Sequence, residues 1–408
     1  MKTALVLAGG GTKGSYEIGA YQALTDLGYK FDIITGTSIG ALNAAMIVQG
    51  EHDKAAHLWN SLTADKVFVN NGLDVREDIS YYIENRNALL PLVKKYISAK
   101  GVDITPFKHL MDIFIDEDKF FNSKTDFGLM TVKFPSLIPV EITKQNIEPG
   151  YLKKWLLASA SCFPAFPVCE IDDEKYIDGM YYDNIPIDTA LRLGASEIIA
   201  VSLRPYVNEE KYFNHPLVKF IEPADTLGRS MIFENETITQ NMKRGYWDAM
   251  KTVGSYFGNI YTFYCYDQKF INEVAKEFLA QIMRAEIDKN PTEQRIGLIK
   301  LDIDKVSKYI EKHVVKSRDQ LLSTLAAAIE IYMSMTEKDI YLQYDVKEIF
   351  KEMKKQASEN TENFALAKAK EIAQTISNNN IDEIHNALRS EDIDLVTLAV
   401  LLTVIERF

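Results

Sequence analysis

The chain is poor in thiols and imidazole, with three cysteines and six histidines in 408 residues. Cys162 and Cys169 are seven apart, Cys265 stands alone, and no C-x-x-C spacing occurs. Neither a disulfide framework nor a thiolate metal site is indicated, and the cysteines read as small buried hydrophobes, with a Cys162–Cys169 pair as the alternative. Long apolar runs are also missing. The longest, Leu395–Ile405, is eleven apolar or Thr residues. A bilayer needs about 20, so this stretch reads as a buried terminal helix, the other reading being an interfacial anchor. The N-terminus shows one lysine and a short apolar run, with neither a signal h-region nor a cleavage site. The expected compartment is cytoplasmic, with peripheral membrane contact left open. Positive charge is in deficit: 46 Lys and Arg stand against 58 Asp and Glu, for a net charge of −12. No basic tail or stripe appears, which sets nucleic acid aside as a partner.

What is present is ordinary globular composition, 47% hydrophobic and 25% charged. At this length, one large domain with an appended region is expected. Residues 1–50 alternate strand and helix: Ala4–Leu7 as a strand, Ser15–Leu27 as a helix, Phe31–Thr35 as a strand and Ile39–Val48 as a helix. Two βα units so close together predict an α/β sheet of mostly parallel strands. Residues about 51–125 lack that rhythm and read as a helical insertion or lid. The βα pattern returns from about 126 to 205, and from about 211 to 408 the chain is mainly helical. The expected division is therefore a catalytic α/β domain over 1–210 and a helical region over 211–408. The first part of that region, to about residue 250, is expected to pack on the catalytic domain.

Two glycine-rich turns carry the chemistry. Gly9-Gly10-Gly11-Thr12-Lys13-Gly14 has the G-x-G-x-x-G spacing of a dinucleotide site. That reading requires an acid at the end of the second strand, and Asp32 lies at its beginning instead. The second strand ends in Gly36-Thr37-Ser38-Ile39-Gly40, a G-x-S-x-G between strand and helix. This is the context of a nucleophile elbow, in which a serine sits in a strained turn with flanking glycines that keep strand and helix from clashing. Such a serine needs N–H donors for the oxyanion formed on attack. Ile39 supplies one, and Gly9, Gly10, Gly11 and Thr12 supply the others.

A serine also needs a base. Among the histidines only His215, at a loop before Pro216, suits the role. A carboxylate held dry against the hydroxyl can replace imidazole, because burial raises its proton affinity. Asp178, followed by Gly179, is the best such candidate; a plain hairpin turn there explains the local sequence as well. Asp172, Asp173, Glu174 and Asp183 lie nearby without calcium-loop spacing, so no metal is expected.

The set Gly9–Gly14, Gly36–Gly40 and Asp178-Gly179 resembles the patatin-like phospholipase family. The stretch LASASCFPAFPVCEIDDEKYIDGMYYDNIPIDTALRLGASEIIAVSL is similar to the second half of that family. The resemblance covers roughly residues 1–250 and leaves 260–408 unexplained. It implies a three-layer sandwich around a mostly parallel sheet, and a lipid acyl hydrolase with a Ser–Asp dyad and no cofactor. It also implies a phospholipid or lysophospholipid ester as substrate. Carried over by position, Ser38 is the nucleophile and Asp178 the proton acceptor. Gly9 to Thr12 with Ile39 form the oxyanion hole, while Lys13, Gly14, Gly36, Gly40 and Gly179 support the motifs. Met180 departs from the family, which usually has Gly or Ala after Asp-Gly, and bears on substrate size. A catalytically silent lipid-binding protein on the same scaffold is the second reading, and a dinucleotide enzyme the third.

Overall fold

The computed structural model describes residues 1–69, 102–207, 210–287, 312–358, 364–377 and 393–408. The middle of the expected insertion, residues 70–101, lies outside the described residues. Two compact units divide between Ala249 and Met250.

The first unit is built on an eight-stranded mixed sheet. Its strands are β1 (Thr3–Leu7), β2 (Ile33–Thr37), β3 (Asp126–Lys133), β4 (Pro139–Thr143), β5 (Cys169–Ile171), β6 (Glu174–Asp178), β7 (Glu197–Val201) and β8 (Val218–Ile221). The order is β5-β6-β3-β2-β1-β7-β8, with β4 also on β3. The five strands from β3 to β8 in this order run parallel, while β4, β6 and β5 are antiparallel additions. β1 and β2 are almost wholly buried, as apolar runs without alternation require when both faces are covered. The mostly parallel α/β sheet expected from the sequence is present. The reading missed β5 and β8, strands of three and four residues.

Helices α1 (Ser15–Asp26), α2 (Ile39–Val48), α3 (His52–Ser61), α4 (Thr105–Phe114), α5 (Glu117–Asn122), α6 (Leu152–Ser159) and α7 (Ile187–Arg192) accompany the sheet. A longer helix, α8 (Asn235–Val253), crosses α1 at two glycines. A Cβ on Gly19 would stand 1.8 Å from the Met242 carbonyl oxygen, and one on Gly245 would stand 1.9 Å from that of Tyr16. The two backbones thus touch, and Tyr16 Oη donates to Asp248 at 2.8 Å beside the crossing. Gly245→Ala is expected to force the helices apart, at a cost of about 2–3 kcal/mol. Thermal unfolding should show this as a Tm lower by several degrees; an unchanged Tm would contradict so tight a crossing.

The second unit packs helices α9 (Gln268–Ile287), α10 (Gln320–Met335), α11 (Val346–Ser358), α12 (Phe364–Ser377) and α13 (Ile393–Ile405) around one apolar core. Strands β9 (Thr262–Tyr264) and β10 (Gln343–Asp345) pair in parallel at its side. The terminal helix α13 is buried on all sides rather than along one stripe. Among the described residues no helix is long and apolar enough to cross a membrane.

Candidate active site

The site stands where β1 and β2 end. Leu7 pairs with Gly36 in parallel register, so the glycine turn after β1 and the serine turn after β2 leave the sheet side by side. Ser38 has φ 55° and ψ −123°, a strained combination for a residue with a side chain. The turn closes only because its flanks are bare. A Cβ at Gly36 would lie 2.4 Å from the Gly40 carbonyl, and a Cβ at Gly40 would lie 2.5 Å from that of Leu7. The Ser38 N–H donates to Ser159 Oγ at 2.9 Å, and Ser159 Oγ in turn donates to the Met130 carbonyl at 2.7 Å.

Asp178 arrives through β3. Thr37 pairs with Met130 on the parallel side, and Thr131 pairs with Asp178 on the antiparallel side. Two strand registers therefore bring together side chains that lie 140 residues apart, and Ser38 Oγ donates to Asp178 Oδ2 at 2.6 Å. Ser38 is 8% exposed and Asp178 is 0% exposed. Asp178 Oδ1 accepts the Met180 N–H at 2.9 Å. Burial pushes the Asp178 carboxyl up to about 7, although the bonds from Ser38 and Met180 pull the other way. His215 takes no part. It precedes β8, which runs parallel to β7 and β1, so it lies at the edge where strands begin and the serine at the edge where they end.

The glycine turn is held from three sides. Gly9 N–H donates to the Asn184 carbonyl at 3.1 Å, and Asn184 Nδ2 returns a bond to the Gly9 carbonyl at 3.1 Å. Thr12 N–H donates to the Ser230 carbonyl at 2.8 Å, and Thr12 Oγ1 donates to the Arg229 carbonyl at 3.1 Å. Gly11, at φ +60°, has the Ser230 carbonyl 2.0 Å from where a Cβ would stand. Asn43 Nδ2 reaches from α2 to the Gly14 carbonyl at 2.9 Å and to Glu17 Oε2 at 2.8 Å. Its Oδ1 accepts from Trp59 Nε1 at 3.1 Å. Glu17 is fully buried with one oxygen lacking a hydrogen-bond partner among the described residues, and burial pushes its carboxyl well above the usual range.

These bonds change the expected set of amide donors. The N–H groups of Gly9 and Thr12 are already spent on Asn184 and Ser230. Those of Gly10, Gly11 and Ile39 have no acceptor among the described residues, and all three residues line one cavity with Ser38. Lys13 does not line that cavity, and its N–H donates to the Gly10 carbonyl at 3.3 Å. Met180 does line it, and Cys162 Sγ donates to Met180 Sδ at 3.6 Å. All three cysteines are free, so Cys162 and Cys169 are unpaired.

Ser159, Asn43, Asn184 and the Ser230 carbonyl were missed in the sequence. Asn184 carried some signal, six residues past Asp178 and before Ile185-Pro186. The others act across the fold and show no local pattern.

The cavity itself is about 150 Å³ and apolar apart from Asn43 and the serine end. α2, α3 and α4 supply eleven of its lining residues, so the described flanks of the expected insertion line the same cavity as Ser38.

Comparison with known proteins agrees with the motifs. The family model described as Patatin-like phospholipase matches residues 5–191. Lysophospholipase NTE1 of Mycosarcoma maydis is 25% identical over 211 residues, 50% of this chain and 10% of the relative. Triacylglycerol lipase 4 of Saccharomyces cerevisiae is 25% identical over 228 residues, 50% of this chain and 24% of the relative. The chain therefore spans a quarter or less of the length of these two relatives. The crystal structure of VipD from Legionella pneumophila is 13% identical with a TM-score of 0.42, covering 99% of this chain and 91% of that one. Residues 5–191 of this chain are a patatin-like phospholipase domain.

Proposed function

We propose that the chain is a serine lipid acyl hydrolase working through a Ser38–Asp178 dyad and an acyl-enzyme. The observation that carries this is the 2.6 Å bond from Ser38 Oγ to Asp178 Oδ2 at the head of an apolar cavity. The family match and the relatives named as lysophospholipase and triacylglycerol lipase support a lipid ester as substrate.

In the first half-reaction Oγ attacks the ester carbonyl as its proton passes to Asp178. Charge moves to the carbonyl oxygen, where the N–H groups of Gly10, Gly11 and Ile39 receive it. The N-terminus of α2, directly after Ser38, favours negative charge at the same place. The intermediate collapses, the bond to the leaving alkoxide breaks, and Asp178 returns the proton to that oxygen. In the second half-reaction Asp178 takes a proton from water, whose oxygen attacks the acyl carbon; the acyl–Oγ bond then breaks, Asp178 returns the proton to Ser38 Oγ, and the fatty acid leaves. A base near 7 suits both tasks, since it can accept and give a proton at neutral pH. All proton transfers use one carboxyl, so the scheme calls for no metal or cofactor.

A fluorophosphonate probe tests the nucleophile directly. The full chain should be labelled at Ser38, shown by mass spectrometry of the modified peptide. Absence of label from folded protein, or label on another serine, would overturn the proposal.

A further inference from the structure

We infer that the cavity measures the acyl group: it is a slot for one extended chain of about eight carbons, running from Ser38 to a floor formed by Met46 and backed by the buried Gln49. The inference rests on the acyl-hydrolase reading of the site and names its substrate class, esters of medium-chain fatty acids.

Helix spacing sets the length. On α2 the lining residues are Ile39, Leu42, Asn43 and Met46, one face at i, i+3, i+4 and i+7 that begins beside the nucleophile. On α4 they include Phe107, Leu110, Met111 and Phe114, the same spacing over the same seven residues. The two stripes run in the same direction. Phe107 marks the upper end, its ring 5.9 Å from that of Phe166, which lines the cavity with Cys162 and Met180 beside the dyad. Phe114 marks the lower end, because its carbonyl accepts from Gln49 Nε2, one turn beyond Met46. Along α3 a third stripe covers an equal span, from Ala55 to Leu62 just past the helix end. Seven residues of helix rise about 10 Å, the extended length of about eight carbons.

The floor is closed by bonds rather than by contact alone. Gln49 is buried, its Oε1 accepts the Asp116 N–H at 3.0 Å, and its Nε2 also lies 3.4 Å from Met46 Sδ. The amide thus joins the end of α2 to the chain leaving α4, and Glu51 beyond it is paired with Lys54 and Lys119. A longer chain would have to break buried hydrogen bonds that an alkyl group cannot replace. The walls fit an alkyl chain and not a headgroup. Among the described residues, the polar groups between the serine end and the floor are the Asn43 amide and the Trp59 N–H, and these are occupied by each other and by Gly14 and Glu17.

The test is a p-nitrophenyl ester series from C4 to C16 on the full chain, with Met46→Trp and Met46→Ala. Wild-type kcat/KM should peak near C8 to C10 and fall at least about tenfold by C16. Met46→Trp, which raises the floor, should lower the C8-to-C4 ratio by about tenfold or more. Met46→Ala should move the peak to longer chains by about two carbons. A wild-type rate that climbs through C16, or a Met46→Trp variant that lowers C4 and C8 equally, overturns the slot. Should Met46→Trp fail to fold, the wild-type and Met46→Ala profiles decide the question. Calorimetric binding of free fatty acids to the Ser38→Ala protein separates this inference from the catalytic reading. Affinity should rise about threefold or more per added carbon to C8–C10 and then stop rising. That break without ester turnover defeats the catalytic proposal and keeps the slot. Turnover without the break defeats the slot and keeps the catalysis.

Discussion

Ser38→Ala should reduce ester turnover by at least about 10³-fold in a protein that is still folded. The hydroxyl is the atom that becomes bonded to the acyl carbon, and the neighbouring amides cannot replace it. Their stabilisation of the oxyanion remains, so a residual rate above that of water is expected. Folding should survive, because alanine keeps the Cβ at the strained position and the backbone bond from residue 38 to Ser159 is retained. The change removes one hydrogen bond, to a carboxyl that holds its other bond to Met180. Steady-state rates on an octanoyl ester, with circular dichroism as the control for folding, provide the check. More than about a tenth of the wild-type rate would remove Ser38 from the chemistry.

How much of this site could be read from the sequence depends on whether a residue's role is local. The elbow and the glycine turn were legible because sterics within a few residues impose them: Gly40 must be bare to pass the Leu7 carbonyl, and Gly36 to pass Gly40. Asp178 was not legible in that way. Its own surroundings fit a hairpin turn equally well, and it meets Ser38 only through two registers on β3; there the family resemblance carried the assignment. The donor set shows the same limit from the other side. Gly9 and Thr12 belong to the right turn, but whether an N–H is free depends on Asn184 and Ser230, far away in sequence. The fold was legible in its long, strongly patterned elements and not in β5 or β8, where three or four residues cannot establish a period. The change of composition near 210–220 precedes the division of the compact units at Ala249 and Met250, because α8 is bound to α1 through Gly19 and Gly245.

Asp178→Asn should abolish most activity and yet make the protein more stable, by an amount that grows with pH. The carboxyl is wholly buried, with no cation beside it among the described residues, and burial pushes it from an ordinary 3.8 up to about 7. Between those two values the folded protein retains a proton that the unfolded chain has lost. Folding stability from this group is therefore fully present below about pH 4, falls as pH rises towards 7, and is flat above. At about 1.4 kcal/mol per unit, the native protein gives up as much as about 4 kcal/mol by pH 8. Asparagine is neutral throughout, and its amide can still accept from the Met180 N–H and donate to Ser38 Oγ. The Tm of the variant should match that of the wild type near pH 4 and exceed it by several degrees at pH 8. Wild-type kcat/KM should rise with pH to a plateau, with a midpoint near 7, since only the ionised carboxyl can accept the serine proton. Thermal unfolding and initial rates from pH 4 to 9 measure both. A variant less stable than wild type at pH 8 would mean that the charge is compensated in the fold, and a flat wild-type rate profile would mean that Asp178 is not the base. The two results are linked by one cause: the desolvation that makes the ionised carboxylate costly to hold is what makes it basic enough to take a proton from serine.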